Sequence, residues 1–338
     1  MFLDYNYVER LSDALWRGRA YGRAAVMVGA GFSLNAIPTK SNVPPFPDWR
    51  ALSLRLVDAL YPRASTTAFD RGQAELRAAS VSGSLRLGDE FIAAYGRPAL
   101  DDLLAEVIRD EDYEPSSLHT ILLKLPWSDV FTTNYDRLLE RAASRVSERR
   151  YHIVTNALDI GSGMRPRLVK LHGSFPSGRP FVLTEEDFRQ YPRRCAAMVN
   201  MAQQSIVENV FCLLGFSGDD PNFLAWTGWA RDNLGDGVRQ VFLCGLLNLN
   251  SAQRKLLQDR KVMPIDLSPL FPEPAWPDKV VRHAKAIEWL LLTLEAAQPI
   301  NPLNWPQQAS KALTSPSPGL PAIPQRQGDD VMTEDMSP

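Results

Sequence analysis

Short runs of consecutive apolar residues alternate along the chain with longer segments whose apolar residues recur at helical spacing. Such short runs are typical of strands that are buried on both faces of a parallel sheet. The predicted strands cover residues 24–28, 129–133, 151–155, 167–171, 210–215, 240–244 and 262–266. The predicted helices cover residues 5–20, 137–146, 185–208, 221–234, 251–260 and 283–296. This alternation predicts an α/β fold, a Rossmann-like parallel sheet with helices on both faces.

One long stretch departs from this alternation. Between residues 49 and 127, groups of leucine, isoleucine and valine recur at helical spacing, and no clear strand separates them. A loop rich in proline, residues 37–47, leads into the stretch. We therefore predict a helical module that is inserted after the first βα turn.

Composition narrows the class of protein. The chain has 338 residues, of which 45% are hydrophobic, so a sizeable core can form. Residues 1–296 form the predicted globular domain, and the Pro-rich tail at residues 297–338 is expected to be disordered. A net charge of −2 gives little support for direct nucleic-acid binding. Since no signal peptide or membrane-spanning run is apparent, we expect a cytoplasmic protein that does not bind membranes.

Cysteine usage bears on metal binding. The three cysteines of the chain are Cys195, Cys212 and Cys244, and none forms a C-x-x-C pair. A structural zinc site usually takes four Cys or His ligands in such pairs. We therefore expect no zinc and no other metal.

Polar segments follow four of the predicted strands. They are residues 29–33 (GAGFS), 132–136 (TTNYD), 170–174 (KLHGS) and 215–218 (GFSG). The carboxyl ends of parallel strands share one edge of the sheet, and open α/β sheets bind their ligands there. The four segments therefore predict one crevice that binds a nucleotide.

The glycine turn at residues 29–33 can bring backbone amides close to a pyrophosphate, because Gly29 and Gly31 carry no side chain. A tight turn that simply needs glycine is an equally good interpretation. Leu34 stands where the dinucleotide fingerprint G-x-G-x-x-G has its third glycine. This departure argues against an ordinary hydride-transferring Rossmann enzyme.

The other three segments also allow structural interpretations. Asn134 and Asp136 can hydrogen-bond a ribose or an amide-bearing ring, but a turn residue and a helix cap are favoured when they are taken alone. His172 can act as a general base, although most single histidines have no chemical role. Gly215 and Ser217 can face a ribose or a phosphate, beside a helix cap at residues 219–220. No role is assigned to the remaining histidines, His119, His152 and His283.

Taken in order along the chain, the four segments resemble the sirtuin superfamily. Residues 29–33 look like its G-A-G-x-S turn, and residues 47–50 (PDWR) look like the P-D-F-R segment that follows it. Residues 132–136 resemble T-Q-N-I-D, and residues 215–217 resemble the G-T-S turn. Residues 171–174 match L-H-G-S, which carries the catalytic histidine of the family. The resemblance spans roughly residues 20–270.

The resemblance implies that residues 1–296 are a sirtuin-like catalytic domain that binds NAD+ as its substrate, with Asn134 and His172 as catalytic residues. Asn134 would position the ribose and the attacking water, and His172 would accept a proton from a ribose hydroxyl or from that water. Backbone amides of the glycine turn would hold the phosphates, Phe32 would cover the cofactor, and Asp48 and Asp136 would contact the nicotinamide carboxamide or close the loop over it. The implied cofactor-binding residues are Gly29, Ala30, Gly31, Phe32, Ser33, Asp48, Thr133, Asp136, Gly215 and Ser217.

The chain departs from sirtuin deacylases because it lacks the four cysteines of their zinc site. Residues 182–187 (VLTEED) and 215–220 (GFSGDD) look instead like the zinc-free bacterial branch of the superfamily. In that branch the domain is an NAD+-hydrolysing effector of anti-phage abortive infection. The resemblance therefore implies an NAD+ hydrolase (an NAD glycohydrolase) that cleaves nicotinamide from NAD+ to give ADP-ribose.

Uncontrolled hydrolysis of NAD+ would kill a healthy cell, so we expect the activity to be latent until the protein assembles or meets a partner. The resemblance implies a homo-oligomer, or a separate partner such as a ring-forming DNA-translocase-type ATPase or a short Argonaute. Two alternatives stay open. One is an NAD-dependent protein deacylase, and the other is a non-catalytic subunit that senses NAD or ADP-ribose.

Overall fold

The computed structural model describes residues 2–17, 22–176, 178–179, 181–216 and 221–298, without the side chains of Asn222 and Asp236. The predicted disordered tail therefore lies outside the described residues, apart from its first two positions. The strands are β1 (Ala24–Val28), β2 (Ile37–Pro38), β3 (Tyr113–Glu114), β4 (Asp129–Thr132), β5 (His152–Val154), β6 (Arg167–Lys170), β7 (Val210–Leu214), β8 (Val241–Gly245) and β9 (Val262–Asp266). A seven-stranded parallel sheet has the order β5-β6-β4-β1-β7-β8-β9.

Helices cover both faces of the sheet. They are α1 (Tyr5–Trp16), α2 (Ala30–Ser33), α3 (Trp49–Leu60), α4 (Ala68–Arg77), α5 (Val81–Tyr95), α6 (Arg97–Ile108), α7 (Ser117–Lys124), α8 (Leu138–Ala143), α9 (Glu185–Arg194), α10 (Ala196–Glu208), α11 (Pro221–Leu234), α12 (Ser251–Asp259) and α13 (Lys279–Ala296). Val26 of β1 packs in the core formed with α1, α7, α8 and α13, whereas Met27 packs in the core formed with α9, α10 and α11. The predicted α/β fold with a parallel sheet is thus confirmed.

The predicted strands of this sheet agree with the observed ones to within one residue at each end. The predicted helix at residues 185–208 is wrong in one respect, because it is two helices, α9 and α10. Cys195 separates them with φ of −117° and ψ of 32°, away from helical values. Among the described helices, none combines the length and the hydrophobicity that crossing a bilayer would require.

The inserted helices have a core of their own. Apolar side chains of α3, α4, α5 and α6 pack together there, among them Leu56, Leu87 and Leu104. Strands β2 and β3, which the sequence analysis missed, pair in antiparallel fashion. They bring together the chain segments that precede and follow the helices of the module. Helix α7, which the sequence analysis assigns to the module, instead places Leu122 and Leu123 in the core beneath the sheet.

Arg97 connects the module to the loop between β6 and α9. Its Nη1 donates to both carboxylate oxygens of Asp187 at 2.8 Å, and its Nη2 donates to the carbonyl oxygen of Phe181. Its Nε also lies 3.1 Å from Asp101. The segment that follows His172 is therefore held against the helical module.

The separate core of the module predicts a large stability difference between two leucines. We expect Leu87→Ala, at a fully buried position, to lower the free energy of unfolding by about 2–5 kcal/mol, because it removes packed methyl groups and leaves a cavity. Leu76 of α4 is 69% exposed, and Leu76→Ala should change it by no more than about 0.5 kcal/mol. Chemical denaturation followed by circular dichroism measures both values. Equal losses for the two variants would contradict this packing.

Candidate functional site

The four segments lie at one edge of the sheet. Adjacent strands are aligned so that Thr132 of β4 pairs with Val28 of β1 on one side and with Lys170 of β6 on the other. Val28 also pairs with Leu214 of β7. The chain crosses from one side of β1 to the other between β6 and β7, and ligands bind open α/β sheets at such a switch point.

Glycine is required where the first and the last of these segments touch. Gly215 has φ of +75°, and a Cβ atom there would lie 2.4 Å from the amide nitrogen of Phe32. A Cβ atom on Gly29 would lie 2.6 Å from the carbonyl oxygen of Gly215. The two turns therefore pack backbone against backbone, which a side chain at either position would prevent.

The contacts of the glycine turn bear on two predicted roles. The amide of Gly29 donates to Leu214 O at 2.9 Å, and the amide of Gly31 donates to Gly215 O at 3.0 Å. These amides are engaged within the protein and are not free to hold a phosphate. The Phe32 ring is buried in the core and packs against His119, and its cover over the cofactor stays a prediction.

Asn134 is the most informative side chain at this edge. Its Nδ2 donates to Gly29 O at 3.0 Å and to Ser33 Oγ at 2.8 Å, which uses both amide hydrogens. A backbone carbonyl can only accept, so these bonds fix which end of the carboxamide is nitrogen. Asn134 Oδ1 is buried and has no hydrogen-bond partner among the described residues. An acceptor in this state can bind a donor from a ligand.

Asp136 stands behind Ser33 in the same chain of hydrogen bonds. Ser33 Oγ donates to Asp136 Oδ2 at 2.7 Å, and the amide of Leu138 donates to Asp136 Oδ1 at 3.1 Å. Burial raises the pKa of Asp136, while the positive charge of Lys170 opposes that rise. Asp136 is 4% exposed, and its carboxyl group accepts from Ser33 in this structure. Its contact with nicotinamide stays a prediction.

His172 follows β6 directly and is buried. Its ring meets Phe188 and Tyr191 of α9 edge to face, with ring centroids 5.3 and 5.6 Å away. Its carbonyl oxygen accepts from the amide of Val182 at 3.0 Å, and Tyr191 donates its hydroxyl to the preceding Leu171 O at 2.7 Å. Aromatic packing thus holds the ring against α9, at the end of the strand that pairs with the strand before Asn134.

The remaining predicted site residues are less closely grouped. Ala30 begins α2 and Thr133 donates its amide to Val28 O at 3.3 Å, and both are half-buried. Asp48 is exposed and caps α3, because its Oδ1 accepts from the amide of Ala51 at 2.7 Å. Ser217 lies outside the described residues.

The sequence analysis missed two residues at this edge. Lys170 is a fully buried lysine that reaches Glu140 and the backbone of Asp136. His283 of α13 lies with Nε2 2.9 Å from Gly31 O, and burial lowers its pKa, which favours the neutral ring. A lysine that directly follows two apolar strand residues was a usable signal, whereas nothing near His283 in the sequence indicates its contact with residue 31.

Within the described ranges, no group of His, Cys, Asp and Glu is arranged to hold a metal ion.

The sequence of the chain is similar to those of several known proteins. The family model for the SIR2-like domain matches residues 128–265, from the start of β4 almost to the end of β9. The chain is 34% identical over 113 residues to NAD(+) hydrolase ThsA of Acinetobacter baumannii, which covers 32% of this chain and 23% of that protein. It is 25% identical over 246 residues to Defense-associated sirtuin 2 of Bacillus subtilis, which covers 72% of this chain and 22% of that protein.

A solved structure, that of a SIR2 homolog–NAD complex, aligns with 88% of this chain and 96% of its own at a TM-score of 0.45 and 13% identity. The range that the SIR2-like family model matches includes β4 and β6, which supply part of the site. The chain spans less than a quarter of the length of the two curated relatives named above.

The contact between the two turns predicts the effect of a single methyl group. We expect Gly215→Ala to lower the free energy of unfolding by at least about 2 kcal/mol, because it adds a clash to a strained positive φ. Gly72 of α4 has open space around its Cβ position, so Gly72→Ala should raise stability by up to about 1 kcal/mol. Urea denaturation compares the two. A Gly215→Ala variant as stable as the unsubstituted protein would refute the close approach.

Proposed function

We propose that this protein is an NAD+ hydrolase that cleaves nicotinamide from NAD+ and releases ADP-ribose. The observation that carries the proposal is the buried Oδ1 of Asn134, which is held in a fixed direction and has no partner among the described residues. The ThsA proteins of Acinetobacter baumannii and Bacillus cereus, which the chain resembles, are named NAD(+) hydrolases. These names support the choice of NAD+ over another nucleotide.

In the proposed reaction a water molecule attacks the ribose carbon that bears nicotinamide. The bond between this carbon and the pyridinium nitrogen breaks, and nicotinamide leaves with the bonding electron pair as a neutral molecule. A new bond forms to the water oxygen, and one proton is released. Because the leaving group is already positively charged, the protein needs only to orient the water and to accept the proton.

Asn134 Oδ1 suits the first of these tasks. As an acceptor it can hold one hydrogen of the attacking water or of a ribose hydroxyl, and the bonds to Gly29 and Ser33 prevent the carboxamide from turning. Pre-orientation of this kind contributes a large share of many enzymatic rate accelerations. We assign Asn134 the positioning of water and ribose.

His172 suits the second task. It follows the strand next to that of Asn134, and Phe188 and Tyr191 hold its ring in one orientation. An imidazole so placed can accept the proton from the water or from a ribose hydroxyl. A positioned general base contributes about 10²–10⁴-fold in rate.

The proposal extends to biological role. Defense-associated sirtuin 2 of Bacillus subtilis is similar to 72% of this chain, and its name supports a role in defence. We propose that this role is that of a cytoplasmic effector of anti-phage abortive infection. Because loss of NAD+ is toxic, the activity would be latent. Assembly into a homo-oligomer, or binding of a partner such as a translocase-type ATPase or a short Argonaute, would release it.

Nicotinamide release tests the proposed reaction. Purified protein, assembled or mixed with a candidate partner protein and incubated with NAD+ and no acylated peptide, should release nicotinamide and ADP-ribose, which liquid chromatography resolves. Asn134→Ala and His172→Ala should each reduce turnover by at least about 100-fold, because water orientation and proton acceptance are lost. Matched substitutions outside the site, Asn233→Ala and His152→Ala, should retain it. Release that requires an acylated peptide would indicate a deacylase instead.

The proposed latency predicts a link between mass and activity. Light scattering and nicotinamide release, measured over a range of protein concentrations and with candidate partner proteins, should show turnover rising with the oligomeric fraction. The physical reason is that assembly adds contacts between protein chains, and the proposal is that these contacts release the latent activity. A strict monomer that is fully active alone would refute control by assembly.

A further inference from the structure

Lys170 is the most completely buried charged side chain at the edge of the sheet described above. It is 1% exposed, and it lies at the end of β6, two residues before His172. Its Nζ donates to the backbone carbonyl of Asp136 and lies 3.1 Å from Glu140 Oε1. The lysine therefore connects β6 to the loop after β4 and to helix α8.

The same network extends past His172. Ser174 Oγ donates to Glu140 Oε1 at 3.3 Å, so the carboxylate that faces Lys170 also contacts the segment after the histidine. His172 is thus flanked along the chain by two residues that meet at Glu140. The same lysine also holds the loop of Asn134, because the carbonyl oxygen of Asp136, two residues after Asn134, accepts from Lys170.

We propose that Lys170 is a positioning residue for the hydrolysis proposed above, on which this inference rests. The buried ammonium group holds the Asn134 loop in place beside the strand that carries His172, and its positive charge favours the ionised form of the Asp136 carboxyl group.

The second part of this role concerns the direction of hydrogen bonds. An ionised Asp136 can only accept, so Ser33 must donate its hydroxyl hydrogen to it. The Ser33 oxygen is then free to accept from Asn134 Nδ2, which is one of the two bonds that hold the carboxamide. A protonated Asp136 can donate to Ser33 instead, and this would weaken the bond to Asn134.

Charges on two elements act on the Asp136 carboxyl group in opposite directions. Burial raises its pKa most, Lys170 of β6 lowers it, and Glu140 of α8 raises it. Ser33, on the first turn, is uncharged and lowers it through its hydrogen bond. Arg137, next in the chain, directs its guanidinium to Asp110 at 2.7 Å.

Stability alone gives a weak reason for this lysine. A buried ion pair costs much of its Coulomb attraction in desolvation, and an apolar residue of similar size often serves a fold equally well. The neighbouring inward positions of β6, Leu168 and Val169, are in fact apolar. A role in the site accounts for the charge where a role in the core does not.

Two substitutions test the inference because they shift the same titration in opposite directions. Lys170→Met keeps the length of the side chain and removes the positive charge, so the pKa of Asp136 should rise. Glu140→Gln removes the opposing negative charge and leaves Lys170 in place, so that pKa should fall. Carboxyl ¹³C NMR of aspartate-labelled protein measures it, with the Asp136→Asn spectrum to assign the signal.

The pH profile of nicotinamide release gives the second reading. The acid limb of kcat should move to higher pH in Lys170→Met and to lower pH in Glu140→Gln, since activity follows the ionised form of Asp136. If Lys170→Met does not fold, the direction of the Glu140→Gln shift decides alone. Unchanged or equally directed shifts of the Asp136 signal would overturn the inference. If the two variants show the expected NMR shifts but the assembled, unsubstituted protein hydrolyses no NAD+, the proposed function would be overturned instead.

Discussion

The hydrogen-bond ladder of the parallel sheet is the constraint on which the site depends. It aligns β6, β4, β1 and β7 so that Lys170, Thr132, Val28 and Leu214 end their strands at one level. Segments that are far apart in sequence therefore begin their loops side by side. The close backbone contact at Gly215 then fixes the turn after β1 against the turn after β7. Each polar side chain at this edge takes its direction from that arrangement.

Much of the fold was predictable because strands that are buried on both faces are short runs of consecutive apolar residues. The run of β1 is apolar throughout and lies between Arg23 and the glycine turn at residues 29–33, so its limits were evident. Strands β2 and β3 were not predictable, since each has two residues and their pairing joins positions 37–38 to 113–114. The break at Cys195 was also missed, because the apolar spacing continues across it.

The site was predictable in its residue types and less so in their roles. Asn134 and His172 stand in segments that resemble a known family, and the structure places them at neighbouring strand ends. Sequence cannot reveal that the amide of Gly31 already donates to another turn, or that Phe32 points into the core. The role of Lys170 was hidden for the same reason, because it depends on contacts between three elements.

Three buried polar groups connect the charge of Asp136 to the orientation of the Asn134 carboxamide. Asp136, Ser33 and Asn134 form one line of hydrogen bonds that ends at an open acceptor. A crystal structure of the His172→Ala variant with NAD+ tests this claim most directly. The account predicts that the nicotinamide-bearing ribose, or a water molecule beside it, lies within hydrogen-bond distance of Asn134 Oδ1. A dinucleotide bound elsewhere, with Asn134 Oδ1 facing protein alone, would contradict it.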